Sequence, residues 1–82
     1  MKNRELAMIF EKIADCLEFK GESQFRIIAY RRAARAMQDL AEDVEELLKQ
    51  NKLKDIAGIG AATAEKIEEY IATGTMQRYE EA

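Results

Sequence analysis

The chain has 82 residues, 48% of them hydrophobic and 35% charged, with a formal net charge of −3. That size and composition predict one folded domain rather than a disordered segment, near the lower limit of what a single core supports. Histidine is absent and Cys16 is the sole cysteine, which excludes an internal disulfide, Cys- or His-rich metal sites, and Ser–His or Cys–His catalysis. Proline is also absent and strong helix formers dominate, so the expected fold is all-α. No apolar run approaches membrane-spanning length and the N-terminus lacks a signal-peptide core, so a cytoplasmic protein with no membrane contact is expected.

In chain order, Asn3 is the expected N-cap of a first helix that ends before Gly21, a natural left-handed C′ residue. Leu6, Phe10, Ile13 and Leu17 recur at helical spacing and mark its buried stripe. Met8 shares a face with Lys12 and Asp15 and is expected at the surface. Cys16 falls in the core or at its boundary, with no charged cluster around it that would activate a thiolate. Ser23 is placed to cap a second helix running to about Gln38. Its expected core stripe is Phe25, Ile27, Tyr30, Ala34 and Met37, with Ala29, Ala33 and Ala36 as points of close approach. Ile28 stands apart, because its neighbours one turn away are Gln24, Arg31, Arg32 and Arg35. A short third helix is predicted from Asp39 or Ala41 to about Gln50, with Val44, Leu47 and Leu48 inward. Acids in its first turn suit the helix dipole, and Asn51 stands at its C′ position.

Residues 53–74 organise the rest of the chain. Gly58-Ile59-Gly60 lies between a turn anchored by Leu53 and Ile56, with Asp55 as a local cap, and a helix whose Ala64, Ile67, Tyr70 and Ile71 share one face. Two glycines flanking one apolar residue permit a tight reversal with positive φ where needed. The amides that follow open a helix N-terminus, where main-chain N–H groups can hold a phosphate oxygen. This is the pattern of a helix-hairpin-helix, a sequence-independent grip on a nucleic-acid backbone. The last helix ends at Gly74, and residues 75–82 read as a tail anchored by Met76 or Tyr79. The expected architecture is a compact all-α bundle of four main helices forming one domain over residues 1–82.

Charge is unevenly distributed. Residues 24–38 hold Arg26, Arg31, Arg32 and Arg35 and no acid, while residues 39–50 hold Asp39, Glu42, Asp43, Glu45 and Glu46 against one lysine. One basic and one acidic face follow.

Nearly the whole chain resembles the N-terminal, lyase-type domain of family X DNA polymerases. The resemblance rests on Asn3-Arg4-Glu5-Leu6 with Ile9 to Asp15, on Phe25-Arg26-Ile27 followed by Ala29 to Ala36, and on the hairpin closing in Ala64-Glu65-Lys66-Ile67 and Thr73-Gly74. It implies a domain that binds gapped DNA, holds a 5′-phosphate in a basic pocket, and in some members removes a 5′-deoxyribose phosphate through a Schiff-base lysine. The nucleophile position falls on Lys66. The phosphate-pocket positions fall on Arg26, Tyr30, Lys54 and Arg78, and the backbone grip on Gly58, Ile59, Gly60 and Ala61. A further pocket lysine is replaced by Ala62. A monovalent cation is implied at the backbone carbonyls of Lys54, Ile56 and Ile59; no other cofactor and no side-chain metal site are expected.

The departures from the family pattern thin the charge. Ala57 replaces a common proline, Ala61-Ala62-Thr63 follow the hairpin where basic or glycine residues are usual, and Thr75-Met76-Gln77 replace lysines. Ala41 stands where proline is common, and Ile28 where the bacterial pattern often has a charge. Lys66 is then either the nucleophile or a solvated helix lysine paired with Glu65 or Glu69. The arginines are either a phosphate track or a charged face opposing the acidic third helix. Met8, Ile28, Ala61, Ala62, Thr63, Thr75 and Met76 are either neutral replacements or a charge-depleted protein-binding surface, natural or designed, for a protein partner or a second copy. The balance favours a non-catalytic binding module that suits a protein partner; weak, sequence-independent DNA binding with vestigial lyase activity is the alternative.

Overall fold

The computed structural model describes residues 2–74, which form four α-helices and a 3₁₀ turn. Helix α1 spans Asn3–Phe19, α2 spans Gln24–Asp39, α3 spans Val44–Lys49 and α4 spans Ala61–Thr73; the 3₁₀ turn Leu53–Asp55 leads into the hairpin. No strand occurs among the described residues, in line with the all-α expectation.

The α1–α2 pair is the largest packing unit. Leu6, Phe10, Ile13 and Leu17 of α1 are buried as their spacing predicts, against Ile27, Tyr30, Ala34 and Met37 of α2. Val44 and Leu47 of α3, Leu53, Ile59, and Ala64 and Ile67 of α4 complete the same core. Phe25 does not join it and is 84% exposed. Two residues before Ile27, it lies about 200° away around the helix axis at 100° per residue, on the opposite face from the stripe. Met8 is exposed as expected, and Cys16 sits at the core boundary.

Helix ends follow the local chemistry. Ser23 Oγ accepts from the Phe25 amide at 3.2 Å, the cap expected for α2. α1 and α3 both close with the paired backbone bonds of a Schellman turn. Gly21 N–H donates to Glu18 O and Glu22 N–H to Leu17 O; Asn51 N–H donates to Leu48 O and Lys52 N–H to Leu47 O. Asn51 carries φ 58°, a value asparagine tolerates better than most residues.

Two expectations are corrected at the start of α1 and α3. Asn3 is not the cap of α1; it is the helix's first residue, 5% exposed, and its side chain crosses to the α2–α3 connection. Its Nδ2 donates to Glu42 O at 2.6 Å and faces Leu40 O at 3.5 Å, while its Oδ1 accepts from Val44 N at 2.9 Å. Helix α3 accordingly starts at Val44 rather than near Asp39 or Ala41. Asn3 and the Asp43 cap, whose Oδ1 accepts from Glu45 N at 3.0 Å, fix the first turn, and the backbone at Leu40 and Asp43 is extended.

Of the arginine run, Arg31 faces α1, and none of the four pairs with α3 among the described residues. Arg31 reaches Glu11 at 3.2 Å, Asp15 at 3.2 Å and Glu18 at 2.7 Å. The Asp15 hydrogen bond, followed by that of Glu18 and the surrounding negative charge, outweighs desolvation and raises the Arg31 pKa above its ordinary value. While its carboxylate partners are ionised, the upward shift stabilises the fold below the ordinary arginine range, and that stabilisation is lost as pH rises through the raised value. The pairs are partly solvated, so Arg31→Ala is expected to cost on the order of 1 kcal/mol in urea denaturation at low salt, and less at 0.5 M salt. At the far end of the molecule, Tyr70 OH donates to Glu5 at 3.0 Å and Lys2 lies 5.8 Å over the Tyr70 ring, tying α4 to the start of α1.

Candidate nucleic-acid interface

Between the 3₁₀ turn and α4 the chain reverses over residues 56–60. Ile59 N–H donates to Ile56 O at 3.1 Å, and the Ile59 side chain drops into the core. Only one of the two hairpin glycines uses its conformational freedom. Gly58 has φ 91°, while Gly60 is extended at φ −91°, ψ −179°. Gly58 also lies against α2, where a Cβ would meet Arg32 O at 3.4 Å and Ala36 Cβ at 3.5 Å. That contact seats the hairpin on α2.

The consequence is a groove lined by Ala29 and Arg32 of α2 and by residues 58–63. Its chemistry is set by the start of α4. Gly60 O accepts from Ala64 N at 2.9 Å, but Gly60 has no side chain to cap the helix. Among the described residues the amides of Ala61, Ala62 and Thr63 meet no acceptor, and the first turn carries no acid. Helix α3 is the internal contrast. Its Val44 and Glu45 amides are taken by Asn3 and Asp43, and Glu45 and Glu46 crowd its first turn. One helix start is closed to anions; the other is open, with the positive end of its dipole at the groove.

Arg32 is the cation that the sequence did not single out for this site. It makes no ion pair among the described residues, whereas Arg26 pairs with Glu22 at 3.4 Å, Arg35 with Asp39 at 3.7 Å and Arg31 with three acids of α1. The signal available was Ala29 and Ala36 at helical spacing around it, the small residues against which a backbone can pack.

The predicted site residues divide. Gly58, Ile59, Gly60 and Ala61 line the groove, Ile59 through its backbone position, since its side chain is core and its amide is engaged. Ala62 and Thr63 line it too. Arg26, Tyr30, Lys54 and Lys66 do not. Tyr30 is buried with its ring 6.0 Å from that of Phe10, Lys54 is exposed, and Lys66 is half-buried. Neither Glu65 nor Glu69 forms an ion pair with Lys66, and no ion pair to it occurs among the described residues. Arg78, Thr75 and Met76 lie outside the described residues. Of the residues assigned to a protein-binding surface, Ile28 is 48% exposed and lines a second groove that shares Arg32 and Gly58 with the first, while Met8 lines neither.

The carbonyls of Lys54, Ile56 and Ile59 belong to the hairpin and its approach, and hard main-chain oxygens suit a monovalent cation. Ile56 O already accepts the Ile59 amide, leaving one lone pair for an ion. No group of three His, Cys, Asp or Glu that could hold a metal occurs among the described residues, and no described helix is long and apolar enough to cross a membrane.

The family model described as a helix-hairpin-helix domain matches residues 1–76. The chain is also 32% identical over 74 residues to a DNA polymerase/3′-5′ exonuclease PolX of Bacillus subtilis (strain 168), an alignment covering 90% of this chain and 12% of that protein. It thus spans about an eighth of the relative's length. With the hairpin, its seat on α2 and the open start of α4 in place, the chain belongs to the helix-hairpin-helix domain family, in the form found in family X polymerases.

Proposed function

We propose that the chain is a non-catalytic binding module that grips DNA backbone weakly and without sequence preference. The observation carrying this is the acid-free start of α4, whose three amides meet no acceptor among the described residues and share a groove with Arg32. Amides and one arginine contact phosphate oxygens, which carry no sequence information. The grip is weak because few cations remain. Arg31 is committed to α1, and alanines stand after the hairpin where the family pattern puts charge.

Titration of a labelled, 5′-phosphorylated gapped duplex tests this. Binding is expected with a Kd on the order of 10 µM at 50 mM salt, weakening as salt rises. Arg32→Glu should weaken it further and reduce the slope of log affinity against log salt by about one contact's worth. No binding at 100 µM protein, or an Arg32→Glu variant indistinguishable from the parent, overturns the proposal.

Lys66 stands at the nucleophile position by resemblance only. It lies outside the hairpin groove, with Glu65 beside it and Glu69 one turn further along α4. Borohydride treatment with an abasic substrate should trap no more adduct than the Lys66→Ala variant does; a Lys66-dependent adduct would establish lyase activity.

A second reading concerns protein. Ile28 projects, half-exposed, into the groove beside the hairpin rather than into the core. An apolar residue there favours contact with a protein surface, a partner or a second copy, in a cytoplasmic setting.

A further inference from the structure

We propose that the groove between α2 and the hairpin docks an acidic amphipathic segment of a partner protein, one that sets apolar side chains between carboxylates. The inference rests on the second reading above and adds the chemistry of the occupant.

The groove, about 670 Å³, is of the size that accepts a few side chains. Its floor is apolar: Ile28 and Ala36 come from α2, Leu40 from just past its end, and Ile56 and Ala57 from the hairpin approach. A half-exposed isoleucine flanked by partly buried Leu40 and Ile56 offers an apolar centre that one or two apolar anchors would desolvate on docking.

The rim is where charge selects the occupant. Three arginines stand around the floor, but they are not equivalent. Arg31 is held by Glu11, Asp15 and Glu18 and is already neutralised. Among the described residues Arg35 pairs only with Asp39, across 3.7 Å, with side chains 81% and 73% exposed. Such a solvated pair is weak and exchanges readily for a better carboxylate. Arg32 has no ion pair among the described residues. The groove therefore presents one unengaged and one easily released guanidinium beside an apolar floor. Carboxylates matched to those guanidiniums form bidentate, charge-assisted bonds, while leucine or phenylalanine fills the floor. A nucleic-acid backbone fits this groove poorly, because it brings charge without an apolar group for Ile28, and Asp39 opposes any anion there unless Arg35 releases it. A cationic segment would face the arginines. Arg32 also lines the hairpin groove, so peptide and DNA would contend for it.

The test uses the full chain labelled with nitrogen-15 and three synthetic twelve-residue peptides sharing the same leucines and phenylalanine. One carries Asp and Glu between them, one Asn and Gln, and one Lys. The acidic peptide should shift the amides of Ile28, Ala36, Leu40 and Ile56, and should bind at least tenfold more tightly than the neutral one. Arg32→Glu and Ile28→Arg, both at exposed positions, should each weaken it at least fivefold while leaving the rest of the spectrum unchanged. If the neutral peptide shifts the same amides equally well, the acidic assignment falls while protein docking at the groove stands. If none of the three does so at millimolar concentration, both fall. A concentration-dependent dimer in sedimentation that Ile28→Arg abolishes assigns the groove to a second copy and overturns the proposal.

Discussion

Asn3→Ala is expected to lower stability by about 3 kcal/mol, which for a domain of this size is a drop in Tm of roughly 10–20 °C by circular dichroism. Asn3 is the buried polar side chain that joins the start of α1 to the α2–α3 connection. Removing it deletes the bonds to Glu42 O and Val44 N, each worth about 1 kcal/mol net. The Val44 amide is then left in a buried site with no acceptor, a further cost of about 1–3 kcal/mol. Alanine's higher helix propensity returns only about 0.5 kcal/mol. Asn3→Asp separates the two halves of the interaction. Its carboxylate still accepts from Val44 and adds negative charge at the start of α3, but it can no longer donate to Glu42 O, which it meets as a second acceptor. The expected result is a loss smaller than that of alanine but still measurable. If Asn3→Ala melts within about 2 °C of the parent, the side chain is not the tie that the geometry describes.

Asn3 also marks where sequence legibility ends. Its type and position near an apolar run are those of an N-cap, and local rules give no reason to send the side chain elsewhere. Its actual partners lie 37 to 41 residues away, and a nonlocal hydrogen bond leaves no periodic trace. Phe25 fails differently: hydrophobicity placed it inside, but its spacing from Ile27 already put it outside. The helices, the Ser23 cap and the left-handed exits at Gly21, Asn51 and Gly74 were legible because each depends on residues within one turn. So was the buried stripe of α1.

The candidate interface was legible in its backbone and not in its charges. Gly58-Ile59-Gly60 announced a reversal before a helix, and that reversal is present. Which arginine serves it could not be read, because the ion pairs that sequester Arg31 and release Arg32 cross between α1 and α2. Asp39, Glu42 and Asp43 are nearer in sequence, yet Arg31 is taken by Glu11, Asp15 and Glu18. Spreading charge along a sequence predicts a face; only packing decides which member of that face is spent.

The hairpin glycines give the second large effect, because folding and binding should come apart between them. Gly58→Ala is expected to cost about 1–2 kcal/mol. The added Cβ itself finds ordinary contact distances to Arg32 O and Ala36 Cβ, so the penalty comes from φ 91° rather than from crowding. Relief requires the loop to rotate away from α2, which would carry the α4 amides out of register with Arg32. DNA affinity should therefore fall with stability. Gly60→Ala makes the opposite case. Its φ and ψ are open to any residue, and nothing lies within 4 Å of the new Cβ, so stability should stay within about 0.5 kcal/mol. That same Cβ stands at the lip of the groove immediately before the open amides, where a phosphate must approach the backbone closely. Affinity for the gapped duplex is expected to drop at least tenfold in a protein that melts like the parent. Unchanged DNA binding by Gly60→Ala would mean that the phosphate does not sit at the start of α4, whatever else on this surface holds it.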